Sequence, residues 1–277
     1  MTHLDLARPG EPPRRDSPRA FDTPPAPGVR GLRVTTRARV RGLAVVATLL
    51  VSLSFDRTAR AQQAIVSLPS ADVTPERKLF GMVESQFRPV GPKAYYNSTT
   101  FFCFGLDGTT ELAVSVYNAG FPATKNTTVA NGFKSVFPVL SGLAPSWQPK
   151  LTVGMMGLFS VDQRGLGFWA YGHASVRVPG HGPRISLGVS HSDRQLTEVR
   201  ATAAMVAIEQ PITIGKAHLE LVAEWFSGQH DLGNLIYGVA WKPNPTWVFV
   251  LGHKIPTSGP RFGDSKMGAV FEVGLTL

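Results

Sequence analysis

The ionisable residues of this 277-residue chain fall into a pattern that argues against most catalytic chemistry. Glu220 and Glu224 are the best-spaced pair of carboxylates, and such pairs can divide general acid and base roles. Four positions along an extended strand separate them by about 13 Å at ~3.3 Å per residue. Paired glycosidase carboxylates lie ~5–9.5 Å apart, so that chemistry is excluded for them. The seven histidines are scattered without metal-ligand spacing, and no zinc-type cluster is expected. Ser190 and His191 offer material for a lipid hydrolase at a barrel rim, but nothing in the spacing places them as a pair. No Gly-rich phosphate loop is present. Cys103 is the only cysteine, so no intramolecular disulfide can form. The reading is a non-enzymatic protein with no cofactor and no metal.

The elements that carry these charges have a period of two. In residues 166–178, Leu166, Phe168, Ala170, Gly172, Ala174, Val176 and Val178 alternate with Gly167, Trp169, Tyr171, His173, Ser175 and Arg177. That period belongs to a β-strand with one face in an apolar medium and the other in a polar one. Leu219, Leu221, Ala223 and Trp225 alternate in the same way with His218, Glu220, Val222, Glu224 and Phe226. In the last segment Phe271, Val273 and Leu275 alternate with Val270, Glu272, Gly274 and Thr276. About twelve strands are expected, near 78–90, 95–106, 109–118, 131–139, 150–159, 165–178, 183–192, 200–210, 216–227, 233–242, 246–254 and 266–277. The second, fourth and eighth alternate poorly, with runs such as Phe101-Phe102 and Ala203 to Ile208. The predicted fold is all-β: a transmembrane antiparallel up-and-down β-barrel.

The polar faces define a lumen-lining set of Glu84, Arg88, His173, Arg177, Arg184, His218, Glu220, Glu224, Lys242 and Glu272, with Glu111, Lys134 and Lys150 also facing inward. Trp225, Tyr237, Trp241 and Trp247 fall on the outward face near strand ends, as an aromatic girdle would. Two readings of the lumen stay open. The charges pair across the interior and fill it, or they line a narrow aqueous path and set its selectivity. Eight strands are usually filled and sixteen to eighteen leave a channel, so twelve lies between. The leading reading is a narrow channel or transporter for small solutes, in which Glu224 stays solvated and tunes cation preference. The alternative is a non-conducting structural or partner-binding barrel.

Connection lengths and the N-terminus give the location. Asp107-Gly108, residues 179–182 and residues 243–245 read as tight turns, whereas 119–130 and 255–265 read as longer loops. Outer-membrane barrels keep periplasmic turns short and extracellular loops long. Arg37, Arg39 and Arg41 precede an apolar run over 43–54, and Ala59-Arg60-Ala61 offers a cleavage site. Together these form a secretion signal. Twelve residues are too few for a spanning helix, which needs about 20. Residues 1–36 are Pro- and Arg-rich and read as disordered, and their length points to a translation start near Val29 or Val34. The expected organisation is therefore a leader and signal over 1–61, a periplasmic tail over 62–77 and a barrel over 78–277. The net charge of +9 does not indicate nucleic acid, because eleven of the 28 basic residues lie in 1–61 against five of the 19 acidic ones. Charged residues make up only 17% of the chain, as suits a surface facing lipid.

With these residues in place, the chain from Lys78 to Leu277 resembles bacterial outer-membrane β-barrel proteins. Its last strand, GAVFEVGLTL, is similar to the signal that such barrels present to the outer-membrane assembly machinery, although it ends in Leu277 where an aromatic is usual. Glu224-Trp225-Phe226-Ser227-Gly228 and Gly252-His253-Lys254-Ile255-Pro256 resemble segments of a broad group of outer-membrane transporters. The resemblance implies a lipid bilayer, the assembly machinery and small solutes as partners, and it carries no catalytic residue.

Overall fold

The computed structural model describes residues 64–277 apart from 89–94, 122–126, 141, 143, 162–164, 198, 216, 231 and 258–267. The leader and signal read over 1–61 lie outside the described residues. The strands are β1 (Leu79–Arg88), β2 (Tyr95–Gly105), β3 (Thr110–Phe121), β4 (Thr128–Pro138), β5 (Lys150–Ser160), β6 (Gly165–Arg177), β7 (Arg184–Ser192), β8 (Ala201–Ile214), β9 (Ala217–Phe226), β10 (Asn234–Trp241), β11 (Trp247–Pro256) and β12 (Gly268–Thr276). Each pairs antiparallel with its sequence neighbours, and β1 pairs with β12 to close a twelve-stranded barrel. The closing register runs from Phe80 opposite Thr276 to Phe87 opposite Ala269. Closure leaves no sheet edge with unpaired backbone groups.

Side chains alternate between a buried inner face and an exposed, largely apolar outer face. On β6, Trp169, Tyr171, His173 and Ser175 are buried inside, while Leu166, Phe168 and Ala174 are exposed outside. On β7 the inward Arg184, Ser186 and Ser190 alternate with exposed Ile185, Leu187 and Val189. Exposed Phe102, Val114, Met155, Phe159, Leu221, Leu251 and Phe271 carry the apolar outer surface around the wall. The strands with poor sequence alternation obey the same geometry. Phe101 is 5% exposed and Phe102 is 61% exposed; on β8, Ala203, Met205, Ala207 and Glu209 point in.

Both faces of these strands are apolar because something apolar occupies the interior. Residues 62–77 are expected to form a periplasmic tail that precedes the barrel; residues 64–74 instead lie within it. Ile65, Val66 and Leu68 are fully buried and share one core cluster with Phe80, Met82, Phe101, Met205, Phe226 and Ile236. The segment therefore runs inside the lumen as a strap. It turns on itself, with an Ala64–Pro69 bridge and the Ile65 N–H donating to the Leu68 carbonyl at 2.7 Å.

The sorting of turn lengths is only partial. At the barrel end that carries the start of β1, the connections are 106–109, 139–149, 178–183, 215–216 and 242–246; at the other end, 161–164 is no longer than the 106–109 turn. The 139–149 connection is long because it folds a 3-10 turn over Pro145–Trp147. At Asp107-Gly108 the tight turn forms as expected: Gly108 takes a positive φ of 77° and the Asp107 carboxylate accepts the Thr109 and Thr110 N–H groups. Beyond β7, a single helical turn, α1 (Arg194–Thr197), buries Gln195, Leu196 and Thr197. Its backbone accepts hydrogen bonds from Thr128 and Asn118, which draws this connection inward at the end opposite the start of β1.

Candidate functional site: a lumen occupied by its own strap

The strap is held at two levels by side chains from strands far apart in sequence. At the first, Glu224 on β9 accepts the backbone N–H groups of Val66, Ser67 and Leu68 at 3.1, 2.7 and 2.9 Å. A buried carboxylate is costly unless several donors satisfy it, and these three amides do so. At the second, Asp72 sits between two cations. Arg184 Nη2 donates to Asp72 Oδ2 at 2.8 Å and Lys150 Nζ to Oδ1 at 3.0 Å, with a further bond from Lys150 to the Ala71 carbonyl at 3.1 Å. Burial by itself would raise the Asp72 carboxyl; the Arg184 and Lys150 charges overcome it and hold the group well below the usual carboxylate range. Nearby, the Thr74 N–H donates to Glu111 at 2.6 Å, and the other oxygen of Glu111 pairs with Lys134 at 3.0 Å.

Lys150 and Arg184 open β5 and β7, and Glu111 lies one residue into β3, all at the barrel end where β1 starts. Glu224 lies two residues from the opposite end of β9. The strap therefore runs along the lumen from the Glu224 level to that mouth. There Glu76 bridges Gly105, and the Arg77 N–H donates to the Gly105 carbonyl at 2.9 Å. The approach is so close that a Cβ at Gly105 would run into the carbonyl oxygens of Thr74 and Pro75. Among the described residues, this is the only ladder bridge between the strap and the wall.

The remaining interior charges are mostly paired. Arg184 Nε also meets Glu209 at 3.1 Å, and Lys242 donates to Glu220 at 2.8 Å. Lys254 donates to Gln86 at 2.7 Å, and Gln86 donates in turn to Glu84. Glu84 lies directly across from Glu272 in the β1–β12 register. Of the predicted lumen set, Glu84, His173, Arg184, Glu220, Glu224 and Glu272 are buried and face inward. Lys242 reaches Glu220 from just beyond β10. Arg88 and Arg177 are half-buried at strand ends, and His218 is exposed one residue into β9, so these three sit at the mouths.

Arg184 is paired with Asp72 and Glu209, and one expectation changes. Glu224 is not solvated: it is 1% exposed and its carboxylate accepts three amides of the strap. Sequence reasoning missed Asp72, Gln86, Glu209 and Lys254. Glu209 could have been found by extending the period of two from Ala203; Asp72 carried no signal at all, because an irregular segment has no periodicity. Ser190 and His191 point to opposite faces, and His191 Nδ1 bonds Thr202 Oγ1 at 2.8 Å on the exposed side.

On the outer face, the four expected girdle aromatics are exposed at two levels. Trp241 and Trp247 flank Phe249 with ring centroids 5.6 and 5.9 Å away. Tyr237 hydrogen-bonds His253 at 3.1 Å, and Trp225 lies beside Leu235 nearer the other end.

No protein-family model matches this chain, and no curated protein matches it. A solved structure described as "Asymmetric conductivity of engineered proteins" is similar with a TM-score of 0.23 and 8% identity, over 72% of this chain and 98% of that chain.

Proposed function

We propose that this protein is an outer-membrane barrel, exported by the signal in residues 1–61 and cleaved after Ala61, that passes small solutes when its strap withdraws. Its partners are the lipid bilayer, the assembly machinery that receives β12, and the solute; the role is non-enzymatic. Two features support the membrane: an outer face that is apolar around the wall, and aromatic residues at two levels on it. Soluble proteins rarely expose contiguous apolar patches beyond a few hundred Å².

The observation that carries the gated reading is the mode of attachment. The strap lies in the lumen, yet among the described residues it adds no strand to the wall beyond the Glu76–Gly105 bridge. Its anchors are side-chain carboxylates and cations, so withdrawal breaks those contacts and leaves the twelve-stranded ladder intact. A second reading, a barrel without conductance, draws on the Lys134–Glu111 pair, which is 1% and 0% exposed and belongs to a dry interior.

Fractionation and planar-bilayer recording test both. Outer-membrane fractions should hold a heat-modifiable band. The wild-type barrel should conduct rarely, and Asp72→Asn should conduct in longer and more frequent openings. A heat-modifiable barrel that stays silent in both proteins would overturn the transport reading and leave the structural one; a soluble periplasmic product would overturn the location.

A further inference from the structure

The strap shows what the lumen binds. It presents to the wall three adjacent N–H donors at one level and a carboxylate at another, and the wall answers each with a side chain of its own. Glu224 is 1% exposed and Arg184 is 7% exposed, so both anchors are enclosed although each lies near a strand end. If the strap leaves, neither anchor leaves with it. Lys150 and Arg184 lose the carboxylate that lies between them, and Arg184 keeps only Glu209. At the other level Glu224 loses all three of its donors, with Glu84 and Glu272 on neighbouring parts of the wall and Lys254 as the cation that answers Glu84 through Gln86. The vacated lumen is thus polarised: one seat wants an anion and the other wants N–H donors.

We propose that the lumen binds short acidic peptides, with a ligand carboxylate in the seat that Asp72 holds between Lys150 and Arg184 and ligand N–H groups on Glu224. This rests on the gated-passage reading and names its solute class. The reach is bounded by the strap itself. Leu68 and Asp72 are four residues apart, so at ~3.5 Å per extended residue the two seats are at most about 14 Å apart. A peptide that fills both seats as the strap does, from the Val66 amide to the Asp72 carboxylate, has about seven residues; a neutral sugar has no carboxylate for the first seat. Recognition of main-chain amides by Glu224 is indifferent to side chains, while the Lys150–Arg184 seat selects for an acidic one.

The test uses the full mature chain carrying Asp72→Asn, refolded in detergent, and two probes. One is the heptapeptide Val-Ser-Leu-Pro-Ser-Ala-Asp, which repeats residues 66–72 and so carries all three donors; the other ends in Asn in place of Asp. Both are amidated at the C-terminus, so they differ only in the side-chain carboxylate. Calorimetric titration should give at least tenfold tighter binding for the acidic peptide. Adding Arg184→Gln, or Lys150→Gln if the first fails to fold, should remove that preference. Equal affinity for the two peptides, or binding of neither, would overturn the ligand class whatever the conductance of the same protein. Selective binding in a barrel that never conducts would instead overturn gated passage and leave the site standing.

Discussion

Asp72→Asn separates a strap that can leave from an interior that is simply full. The substitution keeps the size of the side chain and removes its charge. Two charge-assisted hydrogen bonds, from Arg184 and Lys150, are affected, and such bonds are worth about 1.5–3 kcal/mol each. The loss is not the full sum. Asn can still accept one of them, Arg184 retains Glu209, and the Lys150 side chain is 28% exposed and partly solvated. The 3–5 kcal/mol typical of a buried charge left without any partner is therefore an upper limit, and about 2–3 kcal/mol is expected. At about 1.4 kcal/mol per factor of ten, the ratio of unseated to seated strap should rise roughly 30- to 150-fold. Amide hydrogen exchange reads this directly. The Val66, Ser67, Leu68 and Thr74 amides should exchange faster by that factor, while amides in the ladder, such as those of β5 and β6, should keep their protection. If the strap amides hold wild-type protection, or strap and strands lose protection together, the strap is part of one cooperative unit and the reasoning is wrong.

Other outcomes follow from the same contacts. Because its cationic partners depress the Asp72 carboxyl against the opposing effect of burial, its contribution to seating should be complete above about pH 5. It should fall away as pH drops below its unfolded value of about 4. Acid should thus loosen the strap in the wild type, and Asp72→Asn should weaken that dependence at the Thr74 end, leaving the part carried by Glu224 and Glu111; exchange measured across pH 3–7 checks it. Gly105→Ala places a methyl group against the Thr74 and Pro75 carbonyls, which should cost about 1–3 kcal/mol, read as a lower urea midpoint for the gel shift. Leu187→Arg on the outer face, where Leu187 is 64% exposed, should cost about 2–4 kcal/mol in a bilayer. Ser175→Arg, on the packed inner face, should be damaging in detergent as well, and a silent Ser175→Arg would argue for a wet lumen.

The period of two determined most of this architecture before any tertiary contact was known. It placed twelve strands, assigned Trp169, Tyr171 and His173 to one face and Phe168 and Ala170 to the other, and put Glu220 and Glu224 inside. These are local facts: a strand's side chains alternate whatever it pairs with. The turn at Asp107-Gly108 was equally local. What fills the barrel was not. Residues 64–74 have no periodicity, and their burial depends on Glu224, Arg184, Lys150 and Glu111 converging from four strands. Arg184 meets Asp72 across 112 positions of sequence. Only closure of the wall, β1 against β12, creates the enclosed space in which a short, largely apolar segment is buried while its amides and Asp72 are met by carboxylates and cations. The apolar inner faces of β2 and β8 were the trace of that occupant in the sequence, and they read as weak strands because the partner packed against them was not a strand.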